Sequence, residues 1–258
     1  VPVHTVTAFQ DNYIWLIQSA QNQRVMIVDP GDAAPVLAAL KNLKLIPAAI
    51  LITHHHHDHT GGIDALSKAF KLPVYGPADE AISGVTHPLA DGDTFQVAED
   101  FATLQVMDTS GHTPGHISYL IDHSLYCGDT LFAGGCGRLL GGSAEQLFKA
   151  LNKIADLPEN TLIYCAHEYT LANLQFALAV EPDNQELQQR YADTQTMRAD
   201  NQPSVPSRLT LEKATNPFLR CEVPAVKQAA EQQAGQELAS PLAVFKVLRQ
   251  WKDNFKGV

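Results

Sequence analysis

The chain has 258 residues, 45% of them hydrophobic, enough for one large domain or for a domain with a smaller companion. Its 18 basic and 28 acidic residues leave a net charge of −10, which argues against non-specific nucleic-acid binding, because that needs a basic surface. No apolar run approaches the roughly 18 residues of a membrane span, and Val1-Pro2-Val3-His4-Thr5 lacks the charged and apolar regions of a secretory leader.

In chain order, Tyr13–Ile17 and Val25–Val28 read as strands, the second closed by Asp29-Pro30-Gly31. Pro35–Leu40 has helical spacing and propensity. Ala49–Ile52 is a strand that runs into a cluster of histidines, and Gly61-Gly62 follows near a helix start. Val74-Tyr75, Thr103–Met107, Ser118–Ile121 and Ser124–Cys127 are further strands. Glu145–Ile154 is a helix with apolar Leu147, Phe148, Leu151 and Ile154, and Thr161–Cys165 is the last clear strand. After residue 172 the character changes. Leu174–Arg198, rich in Ala, Leu, Gln and Glu, reads as helix interrupted near Pro182; residues 203–206 form a loop; from Glu222 the chain is again mostly helical to Trp251 and Phe255. The expectation is an α/β catalytic domain over 1–172 and a smaller helical, substrate-binding domain over 173–258. The cysteines, Cys127, Cys136, Cys165 and Cys221, form no C-x-x-C pair, so reduced thiols in a cytoplasmic protein are expected.

Residues 53–59, Thr-His-His-His-His-Asp-His, carry the strongest chemical signal. Imidazole and carboxylate are ligands that divalent transition metals prefer. The run is internal and broken by Asp58, unlike an affinity tag. Side chains two apart in an extended segment point the same way, so His54 and His56 can grip one metal. Asp58 and His59 come after the chain begins to turn and can face a neighbouring site. His55 and His57 alternate away. Three more polar motifs follow apolar runs: Thr109-Ser110-Gly111-His112-Thr113-Pro114-Gly115-His116, Cys127-Gly128-Asp129-Thr130 and Cys165-Ala166-His167-Glu168-Tyr169. His54, His56 and His112 would supply one metal, Asp58, His59 and His167 a second. Asp129 has two oxygens and can bridge them, with a shared hydroxide completing the pair. His116 reads as structural, because His112 already fills the ligand position, and His4, His87 and His123 read as ordinary surface or loop residues.

Thr53-His54-x-His56-x-Asp58-His59, Gly111-His112, Gly128-Asp129-Thr130 and His167 resemble the metallo-β-lactamase superfamily. Within it, Asp11-Asn12-Tyr13, Val28-Asp29-Pro30-Gly31, Gly134-Gly135-Cys136-Gly137-Arg138, His167-Glu168-Tyr169-Thr170, Asn216-Pro217-Phe218-Leu219-Arg220 and the tail Leu248–Phe255 look like the glyoxalase II, or hydroxyacylglutathione hydrolase, family. The resemblance spans nearly the whole chain. It implies an αββα sandwich followed by a helical domain that helps bind glutathione. It also implies hydrolysis of S-D-lactoylglutathione to D-lactate and glutathione, in methylglyoxal detoxification. Two divalent metals would serve, zinc foremost, with iron or manganese as alternatives. Asp58 and Asp129 would be the catalytic carboxylates. Arg249 and Lys252, three apart on one helix face, would hold the glycine carboxylate of glutathione, with Arg138 and Tyr169 as further contacts. A monomer without nucleic-acid or membrane partners is the default.

Rival readings are a lactonase or β-lactamase, an RNA-processing nuclease, a redox relative and a non-catalytic metal-binding regulator. The net charge and the tail speak against the nuclease, and no room for a flavin-binding partner domain is evident. The chain departs from the resemblance at Leu140, two after Arg138, where the family usually carries an aromatic residue. Leu140→Tyr is therefore expected to lower KM for a glutathione thioester; steady-state kinetics with an unchanged KM would overturn that reading.

Overall fold

The computed structural model describes residues 1–256. The near-continuous apolar strands of the first half predict a sheet covered on both faces, and such a sheet forms. Its strands are β1 (Val3–Ala8), β2 (Asn12–Gln18), β3 (Arg24–Val28), β4 (Ile46–Leu51), β5 (Val74–Pro77) and β6 (His87–Leu89), in that spatial order. β1, β2 and β3 are antiparallel neighbours, whereas β3 through β6 run parallel. Helices α1 (Ala33–Leu43), α2 (His57–Thr60) and α3 (Ile63–Phe70) make the crossovers. Alternation along β2 shows why both faces must be covered. Ile14 and Leu16 pack with Val36 and Leu40 of α1 and with Ile63 and Leu66 of α3. Tyr13, Trp15 and Ile17 face the other way, into the main core.

The second sheet pairs with that inner face. It contains β7 (Thr94–Phe95), β8 (Leu104–Asp108), β9 (Ile117–Ile121), β10 (Ser124–Gly128), β13 (Leu162–Cys165) and β14 (Ser207–Arg208), in the order β14-β13-β10-β9-β8-β7. A short hairpin, β11 (Leu131–Phe132) with β12 (Gly135–Cys136), projects after β10. Leu104, Val106, Tyr119, Ile121 and Leu125 meet Trp15, Ile17 and Met26 in the core between the sheets. The expected αββα sandwich is thereby present.

Helix α4 (Ala144–Ala155) covers the second sheet. It starts at a capping box in which Ser143 and Gln146 hydrogen-bond reciprocally. Then come α5 (Thr170–Val180), α6 (Gln185–Ala199), α7 (Leu209–Thr215), α8 (Pro224–Ala234) and α9 (Pro241–Asn254). The break between α5 and α6 falls at Pro182, as the sequence suggests. Phe218, Phe245 and Leu248 join the main core, so the helical segment packs continuously onto the sandwich. His87 is exposed, as a surface residue should be, and His4 is half-buried, both of them on strands; β1, β6, β7, β11, β12, β14 and α7 arise where the sequence reading has no element. Among the described residues, no helix is long and apolar enough to cross a membrane.

One buried ion pair joins the helices to the hairpin. Arg190 of α6 donates to Glu212 of α7 at 2.5 Å. The second Glu212 oxygen accepts from the Gly134 amide at 2.9 Å and from Asn216 Nδ2 at 3.1 Å. Removing one partner strands a buried charge, which costs about 3–5 kcal/mol. Glu212→Ala is expected to lower unfolding free energy by about that amount in urea titrations; a loss under about 1 kcal/mol would show that the pair is dispensable.

Candidate active site

The site sits at one edge of the sandwich, beyond the carboxyl ends of β4, β8, β10 and β13. Each of these strands ends and releases a polar turn there. The turn after β4 carries His54 at a bend and His56 in extended backbone and then enters α2, which presents Asp58 and His59. The segment after β8 gives His112, Gly128-Asp129 ends β10, and His167 follows β13. All seven residues expected as ligands meet there.

Two groups of ligand atoms result. His54 Nε2 lies 3.0 Å from His56 Nδ1, which lies 3.1 Å from His112 Nε2. On the other side, Asp58 Oδ2 is 3.4 Å from both His59 Nε2 and His167 Nε2. Asp129 stands between the groups. Its Oδ2 is 3.4 Å from His112 Nε2, and its Oδ1 is 3.3 Å from His167 Nε2 and 3.5 Å from His59 Nε2. Ligands at roughly 2.0–2.1 Å in a tetrahedral shell stand about 3.3 Å apart, so these separations suit a shared cation. His59 Nε2 and Asp129 Oδ1 are buried without a hydrogen-bond partner among the described residues. Buried polar atoms are ordinarily satisfied, and a cation is the partner this donor set lacks. The residues present therefore fit a divalent metal.

The electrostatics agree. Burial, reinforced by neighbouring imidazoles, holds His54 well below its ordinary pKa, and burial likewise lowers His56 and His112. These rings stay neutral and offer lone pairs. Burial would also depress His59, but the carboxylates of Asp129 and Asp29 outweigh it and hold the ring well above its ordinary value. His167 is raised for the same reason, chiefly by Asp129 against the effect of burial. Burial would raise Asp129, but His59 and His167 hold it well below the usual carboxylate range. The Asp58–Asp129 side thus demands positive charge.

Five of the seven ligands expected, His54, Asp58, His59, His112 and His167, are oriented by a further residue. Asp29 Oδ2 accepts from His59 Nδ1 at 3.1 Å and from the Thr53 hydroxyl at 2.8 Å, while its Oδ1 accepts from the Thr53 amide at 2.8 Å. Thr53 Oγ1 in turn is 3.0 Å from His54 Nδ1. Asp11 Oδ1 holds His167 Nδ1 at 2.8 Å, the Arg138 carbonyl holds His112 Nδ1 at 2.8 Å, and Asn12 Nδ2 donates to Asp58 Oδ2 at 3.0 Å. Such partners fix the tautomer and the ring orientation. Asp29 achieves this from the left-handed region, at φ 50°, which Asp tolerates better than most residues. A Cβ on Gly31 would collide with the Asp58 carbonyl, so only glycine lets the 29–31 turn close on the ligand turn.

His116 is not a ligand. Its Nε2 accepts from the Asp129 amide at 3.2 Å, and its Nδ1 lies 3.0 Å from Thr109 Oγ1 and 3.1 Å from Thr130 Oγ1. It stacks on His54 with centroids 4.8 Å apart. Cys127 is buried and turns its thiol to the Leu131 carbonyl. Asp11, Asn12 and Asp29 were not picked out from the sequence as partners of the ligands, although the Asp11-Asn12-Tyr13 and Val28–Gly31 stretches contain them.

A cavity of about 540 Å³ opens from the metal ligands to the helical segment. Arg138, Leu140, Tyr169, Arg249 and Lys252 all line it, together with Phe132 and Asn173, which sequence reasoning missed. Tyr169 stacks on His167 at 4.7 Å with the rings 6° from parallel. Arg138 is exposed, with Nε 3.8 Å from Asp253. Lys252 Nζ reaches the Ala172 carbonyl at 3.1 Å, and burial together with the Arg249 and Arg138 cations pushes its ammonium down to about 8. Arg249, expected to hold a glutathione carboxylate, is instead buried and already paired, its Nη2 donating to Asp253 Oδ1 at 2.9 Å. It is 4% exposed, lies over Phe218, and donates from Nη1 to the carbonyls of Cys136 at 2.8 Å and Gly137 at 3.3 Å. Its Nε is buried without a partner among the described residues.

The comparisons with known proteins agree with this geometry. Residues 8–167 match the family model described as the metallo-beta-lactamase superfamily, and residues 168–255 match the hydroxyacylglutathione hydrolase C-terminus. The chain is 53% identical over 257 residues to a hydroxyacylglutathione hydrolase of Nitrosomonas europaea, covering 100% of this chain and 97% of that protein. It is 54% identical over 248 residues to one of Alkalilimnicola ehrlichii, covering 96% and 97%. Among solved structures, TTHA1623 in a di-iron-bound form has 27% identity and a TM-score of 0.60, covering 85% of this chain and 100% of that one. The BLEG-1 B3 metallo-beta-lactamase has 25% identity and a TM-score of 0.63, covering 84% and 99%. With a sandwich that gathers seven His and Asp ligands at one edge, and full-length likeness that extends through the helical segment, the chain belongs to the hydroxyacylglutathione hydrolase family of the metallo-beta-lactamase superfamily.

Proposed function

We propose that this enzyme hydrolyses S-D-lactoylglutathione and related S-2-hydroxyacylglutathiones to the hydroxy acid and glutathione, in methylglyoxal detoxification. The observation that carries the reading is Asp129, whose two oxygens face two separate ligand groups across one cavity mouth. In this reading His54, His56 and His112 hold one divalent metal and Asp58, His59 and His167 hold the other, with Asp129 bridging. Zinc is the first choice for this mixed His and Asp donor set. When bound, such a metal pair supplies an acidified water at neutral pH and polarises the thioester carbonyl.

The chain's own residues do the rest. Asp58 lines the cavity and is anchored by Asn12, so it can accept a hydrogen bond from the attacking water and orient it. The water oxygen bonds to the carbonyl carbon as one of its protons passes to solvent, the C–S bond breaks with its electron pair leaving on sulfur as the thiolate, and the carboxylic acid formed loses the second proton to solvent. A free thiol has pKa about 8.5, so the thiolate departs without a dedicated side-chain acid. Arg138 and Lys252 would form a local cationic wall for the glutathione carboxylates on an otherwise acidic protein, while Arg249, buried against the Cys136 and Gly137 carbonyls and paired with Asp253 at 2.9 Å, would add its charge from behind that wall and not by the direct carboxylate contact expected of it. Tyr169 offers its hydroxyl to the peptide part. Residues 1–172 would act as the catalytic domain and 173–258 as the substrate-binding domain, a division the two matched family regions support. A cytoplasmic, monomeric enzyme completes the proposal; four free and buried thiols support a reducing compartment.

Two outcomes test this. Asp129→Ala is expected to lose metal and thioesterase activity together, measured by elemental analysis beside thioester absorbance; two metals retained per chain would refute the bridge. Lys252 carries its charge below about pH 8 and loses it above. The kcat/KM profile, which reports the free enzyme, should therefore fall above that pH through KM, about tenfold per unit once the ammonium is titrated. Lys252→Arg should remove that limb, and a profile identical to wild type would show that Lys252 does not read the substrate.

A further inference from the structure

The ligand partners described above leave one gap. Asp29, Thr53, Asp11 and Asn12 orient His54, His59, His167 and Asp58, and His112 is held by a carbonyl. Nothing among them fixes the turn that carries His56 relative to the segment that carries His112, although these two rings approach within 3.1 Å.

Glu80 fills that gap. It follows β5, far from either motif, and its side chain is 3% exposed. One oxygen, Oε2, accepts from the His55 amide at 2.6 Å and from His55 Nδ1 at 2.8 Å. The other, Oε1, accepts from the Thr113 hydroxyl and from the Gly115 amide at 3.2 Å. A single carboxylate therefore ties the residue before His56 to the residue after His112. A Cβ on Gly115 would press on the Glu80 side chain, so the 113–115 turn closes directly over it. An exposed acid would gain little from such contacts, but a buried carboxylate must have its lone pairs satisfied, and here four donors do so.

We propose that Glu80 is a positioning residue that sets the spacing of the His54–His56–His112 group and leaves the Asp58–His59–His167 group untouched. This rests on the two-metal reading given above. No hydrogen bond joins Glu80 to Asp58, His59 or His167 or to their partners. Loss of the clamp should therefore weaken one metal and not the other. Glutamine is the informative replacement. Its amide oxygen can still accept on one side, but its NH₂ would face backbone N–H donors on the other, so one tie must break.

The test is cobalt substitution read by proton NMR. In the all-histidine group, His54 and His112 bind through Nε2 and His56 through Nδ1, which leaves three exchangeable ring N–H protons. The other group leaves two, on His59 and His167 Nδ1. Wild type should give both sets, shifted by the bound metal. Glu80→Gln should need about 10- to 100-fold more free cobalt to develop the three-proton set, with the two-proton set developing as in wild type. Thr113→Val, which removes one tie of four, should shift the same set by less and guards against misfolding of the first variant. Equal weakening of both sets, or unchanged titrations with only a lower Tm, would reduce Glu80 to a stabilising contact and overturn the proposal. Wild type giving the three-proton set alone would sink the two-metal reading, and the fate of that set in Glu80→Gln would still decide the clamp; wild type giving the two-proton set alone would overturn both.

Discussion

Ligands come from both sheets, so everything at the site depends on the seam that joins them. Hydrogen bonds cross it in both directions. The Ile117 amide and the Tyr119 hydroxyl of β9 donate to the carbonyls of Thr53 at 3.0 Å and Ile52 at 2.7 Å, at the end of β4. In return, the Tyr13 amide and Trp15 Nε1 of β2 donate to Ala166 at 2.7 Å and Cys165 at 3.1 Å, at the end of β13. Each bond contributes only about 1 kcal/mol net. Their effect is geometric. They bring the two ligand-bearing ends together before any side chain of the site is placed, and the apolar core between the sheets keeps that approach dry.

What the sequence made legible follows from distance along the chain. His54, His56, Asp58 and His59 lie within six residues, and their spacing alone assigns them to two faces. His112, Asp129 and His167 were readable because each ends a strand of obvious apolar character. Their orienting partners were not. Asp29 lies 24 residues before Thr53, and Asp11 lies 156 residues before His167. An acid outside a histidine-rich run looks like any surface acid until the fold buries it. Most of the strands that were missed are too short to show a period: β7, β11, β12 and β14 have two residues each and β6 has three, whereas β1 has six but buries only Val6 and Ala8. For Arg249, helical spacing gave the correct face, but burial came from Phe218 and Cys136, which only the folded chain brings close.

The helical segment does more than present cations. Asn216 Nδ2 donates to the carbonyls of Phe132 at 3.2 Å and Gly135 at 2.9 Å, Glu212 receives the Gly134 amide, and Arg249 takes the next two carbonyls. The β11–β12 hairpin is thus gripped along its length from the far end of the chain. Phe132, Cys136 and Arg138 on or beside that hairpin form the wall between the metal ligands and Lys252. The hairpin wall and the cationic side of the cavity are therefore held by the same contacts.

The ring of His116 carries a consequence of its own. Because its Nε2 accepts from the Asp129 amide, its proton must reside on Nδ1. Thr130 has already committed its hydroxyl hydrogen to the Thr109 carbonyl, so it can only receive from the ring. Thr109 Oγ1, on the other side, receives from the same ring and is free to pass its own hydrogen to Ser118 Oγ at 2.7 Å. The ring's donor and acceptor ends are thereby assigned, while the Thr109–Ser118 hydrogen bond can run in either direction. Burial removes the doubly protonated option, since it drives this imidazole well below its ordinary pKa. The Asp129 amide is therefore held by an imidazole of one fixed tautomer, and that anchor is the same whether the carboxylate beyond it is engaged or free.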